Sequence, residues 1–502
     1  MFIRHLRPAA LVLSVTACMP RPAGPPEPGE RAGPGGPRGS GSALIDTLAL
    51  RGHTFFLSAD LLEGRGTGGR GADVAALYIE AQCRALGLRP LDGSYVQDVP
   101  LDLVAVRPGE SRLAISHGGD TTSLSPPDGF IPLGGTAAAL AGFSGPMAFV
   151  GSGDDVRRAP DSLPPLAGRV AVTIGPVRSS AAELLTQRGA IALVHLVPDT
   201  TTYREYVASI GPPLTILRDS SVVSSFYPAV PAVLAGPRVV RAIVAALQAD
   251  RASRIDVRTT FDRRPIPARN IGCLLPGTDA RARDTAVVFT AHYDHLGVSV
   301  ADTNGDSIYN GFSDNAAGVA MLLSIAQALN ASPPGGLRHA AVFLFFTGEE
   351  RGLLGSDYFV AHPTYPLERI RAVINLDAGA PPARPWNWRL AGGEGSPLGT
   401  LGQDVALAHG WSASLSAATP NSDYFPFARR GVPAVFIVPG TAPYEGLSAD
   451  SSQALRRRWD HYHQASDEYA DAFPFVGLQR YAEYAYLLAR AVDIGSAGGG
   501  RP

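Results

Sequence analysis

From residue 262 onward, short apolar runs alternate with segments in which apolar positions follow a helical repeat. The apolar runs are Thr285–Thr290, Ala341–Phe346, Ala372–Leu376 and Pro433–Val438. They are almost continuously apolar, as expected for strands of a parallel sheet that is covered on both faces. Gly318–Asn330 and Val476–Val492 carry helical stripes. The pattern predicts an α/β three-layer sandwich with a mostly parallel, mixed central sheet and a site at the carboxyl edge of that sheet.

Two regions before residue 262 have different patterns. Residues 44–60 and Ala72–Leu86 carry helical repeats, and we assign 44–108 to the first part of the same α/β domain. Residues 109–261 instead hold short β-rich runs between turns, with one helix predicted in SAAELLTQRG. This stretch has no cluster of His, Asp and Glu with ligand spacing. We therefore expect residues 109–261 to form a separate, non-catalytic domain inserted into the larger one, 262–495.

A glycine-rich segment, GRGTGGRG, lies between the first two predicted helices. Gly66, Gly68 and Gly71 match the G-x-G-x-x-G pattern. A dinucleotide site needs a strand before these glycines and an acidic residue about twenty residues later. Because a predicted helix precedes them here, we interpret the segment as a surface loop.

The N-terminus has the composition of a targeting sequence. Arg4 and Arg7 precede a short apolar run that ends in Val-Thr-Ala-Cys18. Residues 1–18 therefore resemble a bacterial lipoprotein signal in which Cys18 is lipidated, with a plain signal peptide as the alternative. Residues 19–43 are a Pro/Gly-rich linker, and residues 496–502 are a flexible tail. We expect an exported protein, held at a membrane surface of the bacterial cell envelope on the periplasmic or outer-membrane side.

Composition narrows the class of protein. The 502 residues are 45% hydrophobic and 18% charged, which is typical of a soluble globular protein of about two domains. A formal charge of -2 gives no electrostatic reason to expect nucleic acid. No apolar run after the first twenty residues is long enough to span a bilayer. Cys83 and Cys273 lie in apolar contexts, so we expect two buried free thiols, although export permits a disulfide.

Potential metal ligands lie at or just beyond the ends of strand-like runs. They are His292, Asp314, Glu350, Asp377 and His463. Two imidazoles and three carboxylates are the ligand set of zinc or a similar divalent ion. Glu349 stands directly beside Glu350, and two adjacent carboxylates at a buried sheet edge repel each other unless a cation is present. The pattern indicates that one of the pair binds metal and that its neighbour is the base of a metal-dependent hydrolase.

Other assignments stay open on spacing alone. Asp294 is placed to accept the second ring N–H of His292, as carboxylates beside metal-bound histidines do. His295 is an alternative ligand, but an extended chain would point it to the other side. Asp314 or its neighbour could instead be a helix N-cap. Either His461 or His463 could be the last ligand.

The motifs HYDHLG, NGFSDNAAG, TGEERGLLGS, NLD and YHQASD occur in this order and resemble those of zinc aminopeptidases of the M28 peptidase family. The resemblance is strong over 262–495 and weak over 44–108. Residues 109–261 loosely resemble the protease-associated (PA) domain inserted in many of these enzymes. The resemblance implies the zinc-peptidase type of α/β fold.

The resemblance also implies a role for each site residue. Two zinc ions (Zn2+) per chain are expected: one held by His292 and Asp377, the other by Glu350 and His463, and both bridged by Asp314. Glu349 would be the general acid/base and Asp294 the partner of His292. The family pattern selects His463 over His461, and it implies a cis peptide bond after Asp314.

The expected activity is co-catalytic hydrolysis of peptide substrates from the N-terminus. Bound metal would activate a water for attack on the carbonyl, and Glu349 would pass the proton of that water to the leaving amine. Asp423 either lines the pocket or is a turn aspartate. The alternatives on the same fold are a single-zinc acyltransferase of the glutaminyl cyclase type, a carboxypeptidase, and a non-catalytic binding protein. A serine hydrolase is disfavoured because the chain lacks G-x-S-x-G.

Overall fold

The computed structural model describes residues 45–177, 179–211, 213–249, 253–331, 336–377 and 379–495. The predicted leader, with Cys18, the linker 19–43 and the tail 496–502 lie outside these residues. Among the described residues, no helix combines the length and apolarity needed to cross a bilayer.

The helices are α1 (Thr47–Leu57), α2 (Arg70–Ala85), α3 (Gly153–Arg158), α4 (Ser179–Gln187), α5 (Thr200–Ile210), α6 (Pro237–Ala249), α7 (Ala317–Ala331), α8 (Leu354–Ala361), α9 (Pro397–Ala408), α10 (Tyr424–Arg429), α11 (Ala449–Trp459) and α12 (Val476–Ile494). The strands are β1 (Arg89–Pro90), β2 (Val96–Asp98), β3 (Leu101–Val106), β4 (Arg112–His117), β5 (Asp120–Leu124), β6 (Phe130–Pro132), β7 (Gly135–Thr136), β8 (Phe143–Ser152), β9 (Val170–Ile174), β10 (Ala192–Leu196), β11 (Leu214–Leu217), β12 (Ala232–Ala235), β13 (Arg254–Arg258), β14 (Phe261–Ile266), β15 (Arg269–Leu275), β16 (Ala286–His292), β17 (Gly297–Val298), β18 (Ile308–Tyr309), β19 (Ala340–Phe346), β20 (Ile370–Leu376), β21 (Asn387–Ala391), β22 (Ser412–Ser416) and β23 (Ala434–Pro439).

The central sheet positions the site. Its strand order is β1-β15-β19-β16-β20-β23-β21-β22, with β2 also paired to β15. The four middle strands, β19, β16, β20 and β23, are mutually parallel, whereas β15 and β21 join them antiparallel. Helices α1, α2, α7, α9 and α12 cover one face, and α8 and α10 cover the other. The predicted α/β three-layer sandwich with a mostly parallel, mixed sheet is confirmed.

The apolar strands are buried on both faces, as their sequences predict. Along β16, Val287, Phe289 and Ala291 pack into the core on one face, while Ala286 and Val288 pack into the core on the other. Such a strand can sit only in the middle of a covered sheet. Because the middle strands are parallel, their carboxyl ends meet at one edge, and the residues that follow them meet there as well.

The region 109–261 contains more helix than its sequence pattern predicted. Its strands β4–β6, β8–β10, β12 and β13 form one eight-stranded sheet, and a smaller sheet has the order β14-β3-β11-β7. Among the described residues of this region, four helices, α3 to α6, accompany them, so the expectation of one helix was wrong. In α6, Val239, Ile243 and Ala246 are buried on one face, a helical spacing that the sequence already contained.

The two cysteines of the described region form a disulfide, Cys83–Cys273, with a Cα–Cα distance of 6.3 Å. The expectation of two free thiols was wrong. Helix α2 packs against β15, and this contact brings Cys83 and Cys273 together across the core. A sequence separation of 190 residues conceals this proximity.

Candidate metal centre

The five predicted ligands converge at the carboxyl edge of the central sheet. The Nε2 atom of His292 lies 2.9 Å from Asp377 Oδ1 and 3.2 Å from Asp314 Oδ1. The Nε2 atom of His463 lies 3.1 Å from Asp314 Oδ2 and 3.3 Å from Glu350 Oε2. Asp314 therefore offers one carboxylate oxygen to each histidine. Four of the side chains are buried, and His463 is 37% exposed.

The ligand atoms fall into groups whose members lie within 4.8 Å of one another. The groups are His292, Asp314 and Asp377; His295, Asp314, Glu350 and His463; and His292, Glu349 and Glu350. The first two groups share Asp314. Imidazole nitrogens and carboxylate oxygens crowded at this distance are the donor set that divalent zinc takes, so the residues present fit the metal.

The chain around Asp314 is shaped to point its carboxylate at the two histidines. The Asp314–Asn315 peptide bond is cis, as the resemblance implied. Asn315 accepts from the backbone N–H of Gly318 at 2.9 Å and donates to the carbonyl of Leu376 at 3.1 Å. The buried carboxylate of Asp467 accepts from the backbone N–H of Asp314 at 3.2 Å. Asn315, and not Asp314, serves the start of α7, so Asp314 is free to face the site.

Asp294 orients its neighbours through different atoms from those expected. The Nδ1 atom of His292 donates to the backbone carbonyl of Asp294 at 3.0 Å, and the carboxylate is 3.9 Å away. That carboxylate accepts instead from Thr67 Oγ1 at 2.6 Å and from the backbone N–H of Glu349 at 3.2 Å. Asp294 therefore fixes both the tautomer of His292 and the position of the Glu349 backbone.

His295, the alternative ligand, lies in the site, on the side opposite to the one expected for an extended chain. Its Nδ1 atom lies 2.7 Å from Glu350 Oε1 and 3.9 Å from Asp314 Oδ2, and its side chain is fully buried. The strand β16 ends at His292, so strand alternation does not continue to residue 295. His461 is turned elsewhere, since its ring bonds the carbonyl of Arg458 at 2.9 Å.

The two adjacent glutamates differ in their affinity for protons. Removal from solvent raises the pKa of Glu349 well above its usual value, and the nearby carboxylates of Asp377 and Glu350 add to this, while His292 opposes it. Burial and Asp314 also act to raise the pKa of Glu350, but its hydrogen bonds with His295 and His463 outweigh them and bring it to about 2. One carboxyl is thus a permanent anion, and its neighbour readily takes a proton.

Asp423 is not an exposed turn residue. It stands at the start of α10, and it is completely buried. Burial raises its pKa to about 8, with His292 opposing and Asp377 reinforcing the shift. The carboxyl therefore lies close enough to the metal centre to sense the charges of these residues.

Several residues at the site were missed by sequence reasoning. The ring of Tyr462 stacks on His463 with centroids 3.9 Å apart, and its side chain is half exposed. Ser422 donates to the second carboxylate oxygen of Asp377, and Thr67 reaches Asp294 from the glycine-rich segment. Tyr462 adjoins a predicted ligand, so adjacency was a usable signal for it. No feature of the sequence pointed to Ser422 or Thr67, because only folding brings these residues to the site.

Known proteins resemble the chain in sequence and in fold. Residues 270–487 match Peptidase family M28. The probable leucine aminopeptidase 2 of Aspergillus oryzae is 30% identical over 180 residues, which cover 31% of this chain and 34% of that protein. Endoplasmic reticulum metallopeptidase 1 of Mus musculus is 36% identical over 107 residues, covering 18% of this chain and 12% of that protein. The chain thus spans about a third or less of the curated relatives it matches.

A solved structure extends the likeness beyond the matched residues. The aminopeptidase from Aneurinibacillus sp. strain AM-1 aligns over 89% of this chain and 94% of its own, with a TM-score of 0.52 and 19% sequence identity. At that identity the likeness is one of fold.

Proposed function

We propose, on the premise that residues 270–487 match Peptidase family M28, that the chain is a zinc-dependent aminopeptidase that removes N-terminal residues from peptides. One observation carries the proposal. Asp314 lies between His292 and His463, so that two groups of metal-binding atoms share a carboxylate, and a proton-accepting Glu349 stands beside them. The relatives with aminopeptidase in their names support the same activity.

The proposed metal content is two zinc ions. His292 and Asp377 would hold one, Glu350 and His463 the other, and Asp314 would bind both. Bound zinc would polarise the scissile carbonyl and lower the pKa of water towards neutrality. His295 would hold Glu350 in place through its Nδ1 atom, 2.7 Å from the carboxylate.

In the proposed reaction Glu349 moves the proton. Its raised pKa makes the carboxylate a strong enough base to take a proton from the attacking water. The same carboxyl then gives that proton to the departing amine. Asp294 keeps Glu349 in position through the 3.2 Å bond to its backbone N–H. The surrounding carboxylates would also attract the free α-ammonium group of a peptide, which favours cleavage at the N-terminus.

A substrate panel tests the activity. Aminoacyl-anilides, peptides with free or blocked N-termini, and N-terminal glutaminyl peptides are incubated with the purified protein, and its zinc content is measured in parallel. We expect cleavage of free-amine substrates only, about two zinc ions per chain, and loss of activity with a chelator. Release of ammonia from glutaminyl peptides would instead indicate a cyclase, and shortening from the C-terminus would indicate a carboxypeptidase. Activity unchanged after complete metal removal would refute the proposal.

A further inference from the structure

Arg65, in the glycine-rich segment before α2, is a buried cation at the metal centre. Its side chain is 1% exposed, and its described hydrogen bonds all go to backbone carbonyls. Nε donates to Tyr293 at 2.8 Å, Nη1 to Asn310 at 2.6 Å and also to Leu57, and Nη2 to Gly311 at 2.9 Å. Four of the five guanidinium N–H groups are therefore used. A buried charge of this kind is costly unless it is fully hydrogen-bonded.

Three of the four carbonyls that Arg65 binds belong to the two segments that carry proposed metal ligands, and the fourth, that of Leu57, ends α1. Tyr293 lies between His292 and Asp294, at the end of β16. Asn310 and Gly311 lead directly into the turn that contains Asp314. A rigid, planar guanidinium thus links the segment of one ligand to the segment of the next.

The backbone and side chains beside Arg65 reinforce this link. The carbonyl of Arg65 accepts from the backbone N–H of His295 at 3.1 Å. Thr67 donates to the carboxylate of Asp294. Gly66 lies so close to Gly297 that a Cβ on Gly66 would be 3.1 Å from the Gly297 Cα atom. Gly66 therefore serves close backbone approach to the site. Because Gly64, Arg65 and Gly71 are buried, the interpretation of the whole segment as a surface loop was wrong.

The positive charge of Arg65 supports the same role as its hydrogen bonds. Burial lowers the pKa of Arg65 to about 10, while Asp314, Asp467, Asp294 and Glu350 act in the opposite direction. The guanidinium is therefore protonated at neutral pH. It offsets part of the mutual repulsion of the site carboxylates before any metal binds.

We propose that Arg65 is a positioning residue of the metal centre, which fixes the separation of the His292 and Asp314 segments and thereby sets metal affinity. The inference rests on the proposed function only for the identity of the ligands. Its test uses zinc affinity, which is measured without peptide cleavage. A wild-type protein that binds zinc but cleaves no peptide would defeat the proposed function and leave this inference testable.

The test compares Arg65→Lys and Arg65→Gln with Arg51→Gln. Arg51 is a matched control, because its guanidinium also donates to two carbonyls, of Asp471 at 3.0 Å and Phe473 at 3.1 Å, neither of them beside a ligand. Zinc affinity is measured by competition with a chromophoric chelator, and the stability of the metal-free proteins is measured by denaturant unfolding.

We expect both Arg65 variants to bind zinc about 10- to 100-fold more weakly, as loss of a group that orients metal ligands does. Lysine keeps the charge but cannot span four carbonyls, so it should rescue only part of the affinity. Arg51→Gln should lower stability and leave zinc affinity unchanged. Wild-type affinity in the Arg65 variants, or an equal loss in Arg51→Gln, would overturn the proposal.

A gentler variant covers the case in which Arg65 variants do not fold. Gly66→Ala keeps the guanidinium and displaces its segment by a few tenths of an ångström, given the 3.1 Å approach to Gly297. We expect this variant to fold and to bind zinc several-fold more weakly. Unchanged zinc affinity in Gly66→Ala would count against Arg65 as a positioning residue.

Discussion

At the scale of single residues, the position of a carboxyl group relative to the buried imidazoles decides its chemistry. Glu349 and Glu350 are adjacent in the chain, yet His295 and His463 hydrogen-bond only to the second of them. The pKa of Glu350 falls to about 2, while that of Glu349 rises. In the proposed function the same residue type would therefore supply both a metal ligand and a proton carrier.

Replacing Glu349 tests this division of roles between Glu349 and Glu350. We expect Glu349→Ala to retain the zinc content of the wild type, because the ligands assigned here remain, and to lose two to four orders of magnitude in kcat, the usual contribution of a general base. Steady-state kinetics and metal analysis measure the two quantities. Glu350→Ala is the contrasting variant, for which we expect metal to be lost as well. A zinc-loaded Glu349→Ala enzyme with near-normal turnover would show that another group moves the proton.

At the scale of elements, the sheet determines which segments meet. The predicted strands appear as β16, β19, β20 and β23, each within two residues of its predicted ends. Parallel pairing aligns β16 with β19 and β20, so His292, the Glu349–Glu350 pair and Asp377 arrive at one edge. The order of these strands in the sheet does not follow from their apolar patterns, since each pattern satisfies any central position.

The disulfide between α2 and β15 gives a prediction at this scale. We expect the double substitution of Cys83 and Cys273 by Ser to lower the free energy of unfolding by about 2–4 kcal/mol, because the crosslink closes a long loop in the unfolded chain. Denaturant unfolding of the oxidised wild type and of the double variant measures the difference. The matched control is the wild type unfolded under reducing conditions. Equal stability of the oxidised wild type and the variant would mean that the crosslink does not constrain the unfolded chain.

At the scale of the whole molecule, the region 109–261 is joined to the α/β domain by specific contacts. The backbone N–H and hydroxyl of Ser225 donate to the buried carboxylate of Asp357 at 2.7 and 2.5 Å. Arg429 of α10 donates to the carbonyl of Ser224 at 3.0 Å. Tyr227 packs against Gly352, three residues after Glu349. The region is therefore attached beside the turn that carries the proposed base.

Buried histidines influence how the stability of the whole protein changes as the pH falls. His195 in β10 is buried against Thr173, and burial lowers its pKa from 6.5 to about 4. Below pH 6.5, His195 therefore binds a proton in the unfolded chain but not in the folded protein. The contribution of His195 to the free energy of unfolding is fully present above pH 6.5. It is lost as the pH falls towards 4, by up to about 3 kcal/mol.

Denaturant unfolding between pH 7.5 and 4.5 tests this expectation. The variant His195→Gln cannot take up the proton, so its free energy of unfolding should fall less steeply with decreasing pH than that of the wild type. His461→Gln, which removes a partly buried histidine whose ring bonds Ser466, is the control variant for the loss of a histidine outside β10. Identical slopes for wild type and His195→Gln would show that His195 titrates normally in the folded protein.

The sequence by itself determined the local features: the apolar strands, the helical stripes and the residues with metal-binding side chains at strand ends. These features follow from the periodicity and chemistry of neighbouring residues, so they can be identified from the sequence alone. Only the tertiary structure decided which distant groups meet. The Cys83–Cys273 disulfide, the inward turn of His295 and the four carbonyls bound by Arg65 depend on how α2 and the loops pack, and a packing contact between remote segments leaves no periodic signal in the chain.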